Sequence, residues 1–180
     1  MKSTKEFENI IKICRDIFEK KSHDYGTSWR VLRPTSLTDQ LFIKAERIRS
    51  FEIKKVQKIN ESIFDEYVAM VNYSTIALIQ MELGFSENLN LSQKKVLELY
   101  DKYLEYAKNL MCKKNHDYNE AWRKMRLTSY TDFILMKIHR TKQIENHDGK
   151  TIISEGVDAN YYDIINYSIF ALIKLKFYEN

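Results

Sequence analysis

The sequence predicts an all-α fold, a six-helix bundle made from two tandem copies of one three-helix unit, and three observations lead there. The stretch Lys21-Ser22-His23-Asp24-Tyr25 with Trp29-Arg30 returns as Lys114-Asn115-His116-Asp117-Tyr118 with Trp122-Arg123. Laying 21–52 on 114–145 gives 14 identities in 32 positions, where unrelated segments would share roughly two, and self-similarity at one fixed period marks a repeat. Four Gly and one Pro in 180 residues are too few for many turns, while the abundant Lys, Glu, Ile and Leu favour helix. Hydrophobic residues, 44% of the chain, recur three and four apart, the spacing of one helix face.

Taken in order, Ser3-x-x-Glu6 reads as a capping box, and Phe7, Ile10, Ile11, Cys14, Ile17 and Phe18 carry a first helix to about Lys21. His23 to Thr35 reads as a connecting loop, which suits Pro34, and Ser36-x-x-Asp39 starts a second helix with Leu37, Leu41, Ala45 and Ile48 inward. A third helix is expected from Asn60, as its cap, to Gly84 as its terminator. Phe85 to Leu91 is a linker, and Ser92 opens the second copy. That copy has a helix over 93–114, a loop over 115–128, a fifth helix capped by Ser129-x-x-Asp132, an Asp148-Gly149 turn and a sixth helix over 156–178. The expected repeats are therefore 1–84 and 92–180, joined by 85–91. One unit alone would leave a face of its third helix uncovered, so the halves are expected to pack as one globular domain about a pseudo-twofold axis.

Composition excludes several function classes. The 29 basic and 25 acidic residues are interspersed and sum to +4, which makes nucleic acid an unlikely partner and leaves a small phosphorylated ligand open. Cys14 and Cys112 are not equivalent between the copies and lack metal-ligand spacing, which suits core filling in a reducing, cytoplasmic setting. No apolar run reaches the roughly 18 residues of a membrane span, so no membrane partner is expected. A Gly-rich phosphate loop, a nucleophile elbow and a Cys/His zinc pattern are all missing.

The third and sixth helices carry the informative polar residues. Glu61, Asp65 and Asn72 in one copy, and Glu155, Asp163 and Asn166 in the other, fall within an arc of about 80° that continues into apolar residues. An inward stripe of this kind needs either a divalent cation or partner Lys and Arg residues, and both readings stand. The second and fifth helices repeat Lys44, Arg47 and Glu52 as Lys137, Arg140 and Glu145, basic groups that suit phosphate or a solvated face. Trp29 and Trp122, with Tyr25 and Tyr118, could stack on a base or plug the core. His23 and His116 have no recognisable partner for nucleophilic chemistry.

The Lys-x-His-Asp-Tyr with Trp-Arg, Ser-Leu-Thr-Asp, Lys-x-x-Arg and Asp-x-x-Asn-Tyr-x-x-x-Ala-Leu patterns resemble a tandem-repeat domain of unknown function, also described as a nucleotide-modification-associated domain, over nearly the whole chain. That family is similar to the all-α nucleoside triphosphate pyrophosphohydrolases, the MazG and dimeric dUTPase group, which are helical bundles that bind Mg²⁺ through Glu-x-x-Glu on one helix and Glu-x-x-Asp on the next. The resemblance implies a MazG-like bundle and Mg²⁺ or Mn²⁺ held by Glu52, Glu61 and Asp65, with Glu145, Glu155 and Asp163 as counterparts. Glu61, Asp65, Glu155 and Asp163 would be catalytic. Lys44, Arg47, Lys137, Arg140, Asn72, Asn166, Trp29 and Trp122 would bind the nucleotide. The implied activity is hydrolysis of a modified or non-standard nucleoside triphosphate, and the alternative is a non-catalytic nucleotide-binding or protein-interaction bundle. The chain departs from the pattern: neither the second nor the fifth helix has Glu-x-x-Glu, Asp65 aligns with Ala159, and Asp163 aligns with Ala69. Those complementary losses suggest one site shared between the halves, as between the subunits of a homo-oligomer.

Overall fold

The computed structural model describes residues 2–178. They form α1 (Lys2–Tyr25), α2 (Pro34–Lys54), α3 (Ile63–Leu83), α4 (Gln93–Tyr118), α5 (Leu127–Asn146) and α6 (Val157–Phe177), with short 3-10 turns at Ser28–Val31 and Ala121–Lys124 and no strand among the described residues. The outer ends of the expected repeats, Met1 and residues 179 and 180, lie outside them.

The predicted apolar faces are the buried ones. Phe7, Ile10, Cys14 and Phe18 of α1 and Leu37, Leu41, Ala45 and Ile48 of α2 are in the core. Burial also drives the Cys14 thiol well up from its ordinary value, so it packs as a small hydrophobe. α3 and α6 are buried on nearly every side, as a helix that is apolar all round must be. They pack on each other at the centre, with α2 and α5 paired on one side and α1 and α4 on the other. Each helix thus meets its own counterpart.

Helix termini depart from the expectations in an instructive way. α1 runs on to Tyr25 and stops where Gly26 takes φ 60; α4 runs on to Tyr118 and stops where Asn119 takes φ 49. The first helix therefore does not end at Lys21, nor the fourth at 114. Gly and Asn tolerate the left-handed conformation that ends a helix, and the polar residues before them do not break one. Ser3 lies inside α1 and is buried, so Ser3-x-x-Glu6 is not a capping box. Ser36 and Ser129 are not caps either: α2 starts with Pro34 at its first position after Arg33, and α5 starts after Arg126. Pro fits there because its missing N–H is one that a helix start leaves unpaired. α3 is capped by Ser62 and not Asn60: Ser62 Oγ accepts from Asp65 N at 3.1 Å, and Asp65 Oδ2 accepts from Ser62 N at 3.3 Å. The Gly84 terminator and the Ser92 cap are as expected.

Two hydrogen-bonded relays cross between the halves. Tyr67 of α3 meets Thr131 Oγ1 of α5 at 2.9 Å, and Thr131 donates to Glu52 of α2 at 2.7 Å. The mirror image runs from Tyr161 of α6 to Thr38 of α2 at 2.7 Å and on to Glu145 of α5 at 2.7 Å. A carboxylate only accepts, so each Thr spends its one proton on Glu and accepts from Tyr. Glu52 and Glu145, predicted as metal ligands, are instead part of the interface between repeats.

Candidate functional site

A cavity of about 660 Å³ opens in the first repeat. The end of α1 and the 3-10 turn bring Lys21, Tyr25 and Trp29 to it; α2 brings Lys44; α3 and the residues just before it bring Glu61, Asp65, Glu66, Ala69, Asn72, Tyr73 and Ile76.

The wall that carries Trp29 is pinned by a residue that pattern reading passed over. Gln80, 1% exposed, donates through Nε2 to the carbonyls of Arg30 at 2.8 Å, Leu32 at 2.7 Å and Trp29 at 3.3 Å. Arg30 returns hydrogen bonds to Gln80 Oε1 and to the Gly84 carbonyl. Lys174 holds the equivalent place on α6 and donates to the carbonyls of Arg123 and Met125. Gln80→Leu should therefore cost about 1–3 kcal/mol, because buried carbonyls lose their donor. Urea unfolding checks this, and a cost below about 0.5 kcal/mol would contradict the pinning role.

At the floor of the cavity, Glu66 is 1% exposed and held by Arg47 at 2.5 Å and Lys44 at 3.4 Å. Arg47 also donates to the carbonyls of Glu61 at 2.8 Å and Ile59 at 3.3 Å. Arg47 is thus committed to structure and does not line the cavity, contrary to its expected phosphate role. Asn72 lines it but is spent at both ends, donating to the Cys14 carbonyl at 3.2 Å and accepting from Tyr100 at 2.7 Å. Nothing in the sequence pattern singles out Glu66, whose counterpart in the second repeat is Asn160.

The predicted stripe of the first repeat shares one face, since Glu61, Asp65, Asn72 and Ile76 all line the cavity, but its carboxylates are not buried. Glu61 and Glu155 are exposed and precede α3 and α6, and Asp65 is exposed and caps its helix. A single shared site is also corrected, for a topological reason. The polar positions at α3 and α6 do not converge: Glu61 and Glu66 meet Arg47 of α2, Asn72 meets Cys14 of α1 and Tyr100 of α4, and Asp163 meets Lys114 of α4 and Lys137 of α5. Glu61 and Asp65 line the cavity; Glu155 and Asp163 do not. Asp163 instead lies between Lys114 and Lys137, at 2.7 Å from each. Lys137 is thereby paired, Arg140 is exposed, and Asn166 is buried with neither amide end hydrogen-bonded among the described residues. Trp122 is a core plug, stacked on Phe170 at 4.4 Å and 7°.

Burial raises the Asp163 carboxyl, but hydrogen bonds from Lys114 and Lys137 outweigh it and hold the group below its ordinary value. Its stabilisation is therefore complete above the unfolded value near pH 3.9 and lost as pH falls through the folded one. Asp163→Asn should cost about 1–2 kcal/mol at pH 7 and progressively less below about pH 4. A deficit that stays constant across that window would contradict the assignment.

No group of three or more His, Cys, Asp and Glu is arranged to hold a metal among the described residues. Glu66 already has two cations, whereas Glu61 and Asp65 each use one oxygen, Glu61 towards Arg47 at 3.4 Å and Asp65 towards Ser62 N at 3.3 Å, and bring the other to the cavity lining. Two carboxylates completed by water and phosphate are what Mg²⁺ commonly takes, so these two fit that role by donor type. No helix is long and apolar enough to cross a membrane among the described residues.

Comparison with known families agrees with the internal repeat. A family model described as nucleotide modification associated domain 1 matches twice, over residues 21–81 and 114–175. No curated protein and no solved structure matches the chain significantly.

Proposed function

We propose that this chain, which belongs to the nucleotide modification associated domain 1 family, binds a nucleotide in the cavity of its first repeat. The observation that carries this reading is the lining: Tyr25, Trp29 and Tyr73 offer aromatic surface, and Lys21 and Lys44 offer cations, around one space of about 660 Å³. That volume lies in the usual range for small-molecule sites. Aromatic faces suit a base and ammonium groups suit phosphate.

A panel of nucleotides screened by thermal unfolding tests the reading. Binding to the native state at one hundred times Kd should add about 2.7 kcal/mol of stability, and Trp29→Ala should weaken the effect. No stabilisation by any nucleotide, with or without Mg²⁺, would overturn it.

A second reading, Mg²⁺- or Mn²⁺-dependent hydrolysis of a nucleoside triphosphate, is favoured by Glu61 and Asp65 lining the same cavity as the lysines. These two carboxylates would hold the metal, which when bound neutralises phosphate charge and lowers the pKa of water. Lys21 and Lys44 would orient the phosphates. Pyrophosphate release that is lost in Glu61→Ala and kept in Glu155→Ala, which changes an exposed residue outside the cavity, would support it. Absence of turnover with either metal across the panel would leave binding alone.

A further inference from the structure

The two repeats differ at cavity positions in both directions: Asp65 and Glu66 of the first become Ala159 and Asn160 in the second, whereas three other positions acquire in the second repeat groups that the first lacks. Lys21 and Lys44 correspond to Lys114 and Lys137, 93 residues on, and Trp29 corresponds to Trp122. Between the third helices the offset is 94, so Ala69 corresponds to Asp163 and Ile76 to Phe170.

In the second repeat Asp163 and Phe170 supply partners for the lysines and for the tryptophan, while the buried Asn166 amide stays without a hydrogen bond among the described residues. The Asp163 carboxylate bridges the two lysines, one oxygen to each at 2.7 Å. The Phe170 ring lies flat against Trp122 at 4.4 Å. Asn115 accepts from the Trp122 indole N–H at 3.1 Å. In the first repeat Ala69 has no carboxylate, so Lys44 has Glu66 alone among the described residues, at 3.4 Å; Ile76 has no ring, and Ser22 stands in place of Asn115. All three line the cavity, and the buried Trp29 Nε1 has no hydrogen-bond partner among the described residues.

Resting on the nucleotide-pocket reading, we infer that Asp163 and Phe170 occupy the places that a ligand's anionic group and planar ring take in the first repeat. The ligand is then a nucleoside 5′-monophosphate, its phosphate between Lys21 and Lys44 above Ala69 and its base on Trp29 beside Ile76. Seven helical residues separate positions 69 and 76, about 10 Å of rise, comparable to the length of a single nucleotide. Further phosphates would extend towards Asp65, which lies one helical turn beyond Ala69, and so meet carboxylate charge. The second repeat, already filled, takes no ligand.

Calorimetric titration of the full chain with a nucleoside and its 5′-monophosphate tests this, using Ala69→Asp and Lys21→Ala. The wild type should bind one monophosphate per chain and prefer it to the nucleoside by roughly tenfold or more, as a charge-assisted contact predicts. Ala69→Asp, which places the second repeat's own carboxylate at the equivalent position, should abolish that preference. Lys21→Ala changes an exposed side chain, so folding is not at issue, and should reduce the preference for the monophosphate over the nucleoside. If the wild type binds both ligands and neither variant alters the preference, the placement is overturned and the pocket reading survives. If the wild type binds neither, both fall. A triphosphate preferred over the monophosphate in the absence of metal would overturn the choice of ligand.

Discussion

Arg47→Met should destabilise the protein by about 3 kcal/mol, the cost of leaving a buried charge without its principal partner. Glu66 is 1% exposed, and Arg47 is its closest cation, at 2.5 Å against 3.4 Å for Lys44. Met fills much of the volume of the arginine stem, so the loss is electrostatic and not a cavity. The same change frees the carbonyls of Ile59 and Glu61, which Arg47 ties to α2. The control is Arg49→Met. Arg49 is about half exposed and pairs with an exposed Asp132 at 3.5 Å, and such surface pairs contribute under about 1 kcal/mol. Equal costs for the two variants in urea unfolding would contradict this account of Glu66.

The double variant Thr38→Val, Thr131→Val should cost about 3 kcal/mol through the interface between repeats, near 1.5 kcal/mol for each relay. Each valine keeps the shape of the threonine but removes the donor to a carboxylate and the acceptor for a tyrosine. Both threonines are 1% exposed, so water does not readily replace them. Burial raises the carboxyls of Glu52 and Glu145, and the threonine hydrogen bonds act against that rise. A carboxyl with a raised folded value makes the native state hold its proton more tightly than the unfolded chain does. Wild-type stability is therefore lost on this account as pH rises from near 4.3, the unfolded value, through the folded value. Without the hydroxyl donors the ionised form is stabilised less, so the deficit of the double variant should grow from pH 4 to pH 7. A deficit that shrinks over that interval would show that the carboxylates do not draw on these threonines.

The architecture was legible because it rests on periodicity and repetition. Leu37, Leu41, Ala45 and Ile48 follow one helix face and are all fully buried, and the repeat of 21–52 at 114–145 requires two like units. Terminal details were not legible because several polar patterns compete for the same signal. Ser36 looks like a cap in isolation, yet Pro34 starts the helix before it is needed. The site was legible in part. Trp29, Lys44, Glu61 and Asp65 were anticipated and line one cavity, but Arg47, Glu52 and Glu145 were assigned to a ligand when their partners are within the protein. A sequence lists the charges without saying which pairs they form, and here the pairs are made between helices far apart in the chain, as Asp163 with Lys114 and Glu66 with Arg47. Gln80 was missed because a single buried amide has no period.

A nucleotide held in the first repeat and a second repeat occupied by its own side chains make the two halves distinguishable in one experiment. The chain has two tryptophans, Trp29 and Trp122, so each repeat carries one indole N–H at the position in question. Nitrogen–proton correlation spectra of the full chain, with the two indole signals assigned through Trp122→Phe, report on both sites in one titration with a nucleoside 5′-monophosphate. The Trp29 signal should shift in a saturable way while the Trp122 signal, held by Asn115 and covered by Phe170, stays in place. A shift confined to Trp122, or saturable binding that moves neither signal, would contradict it.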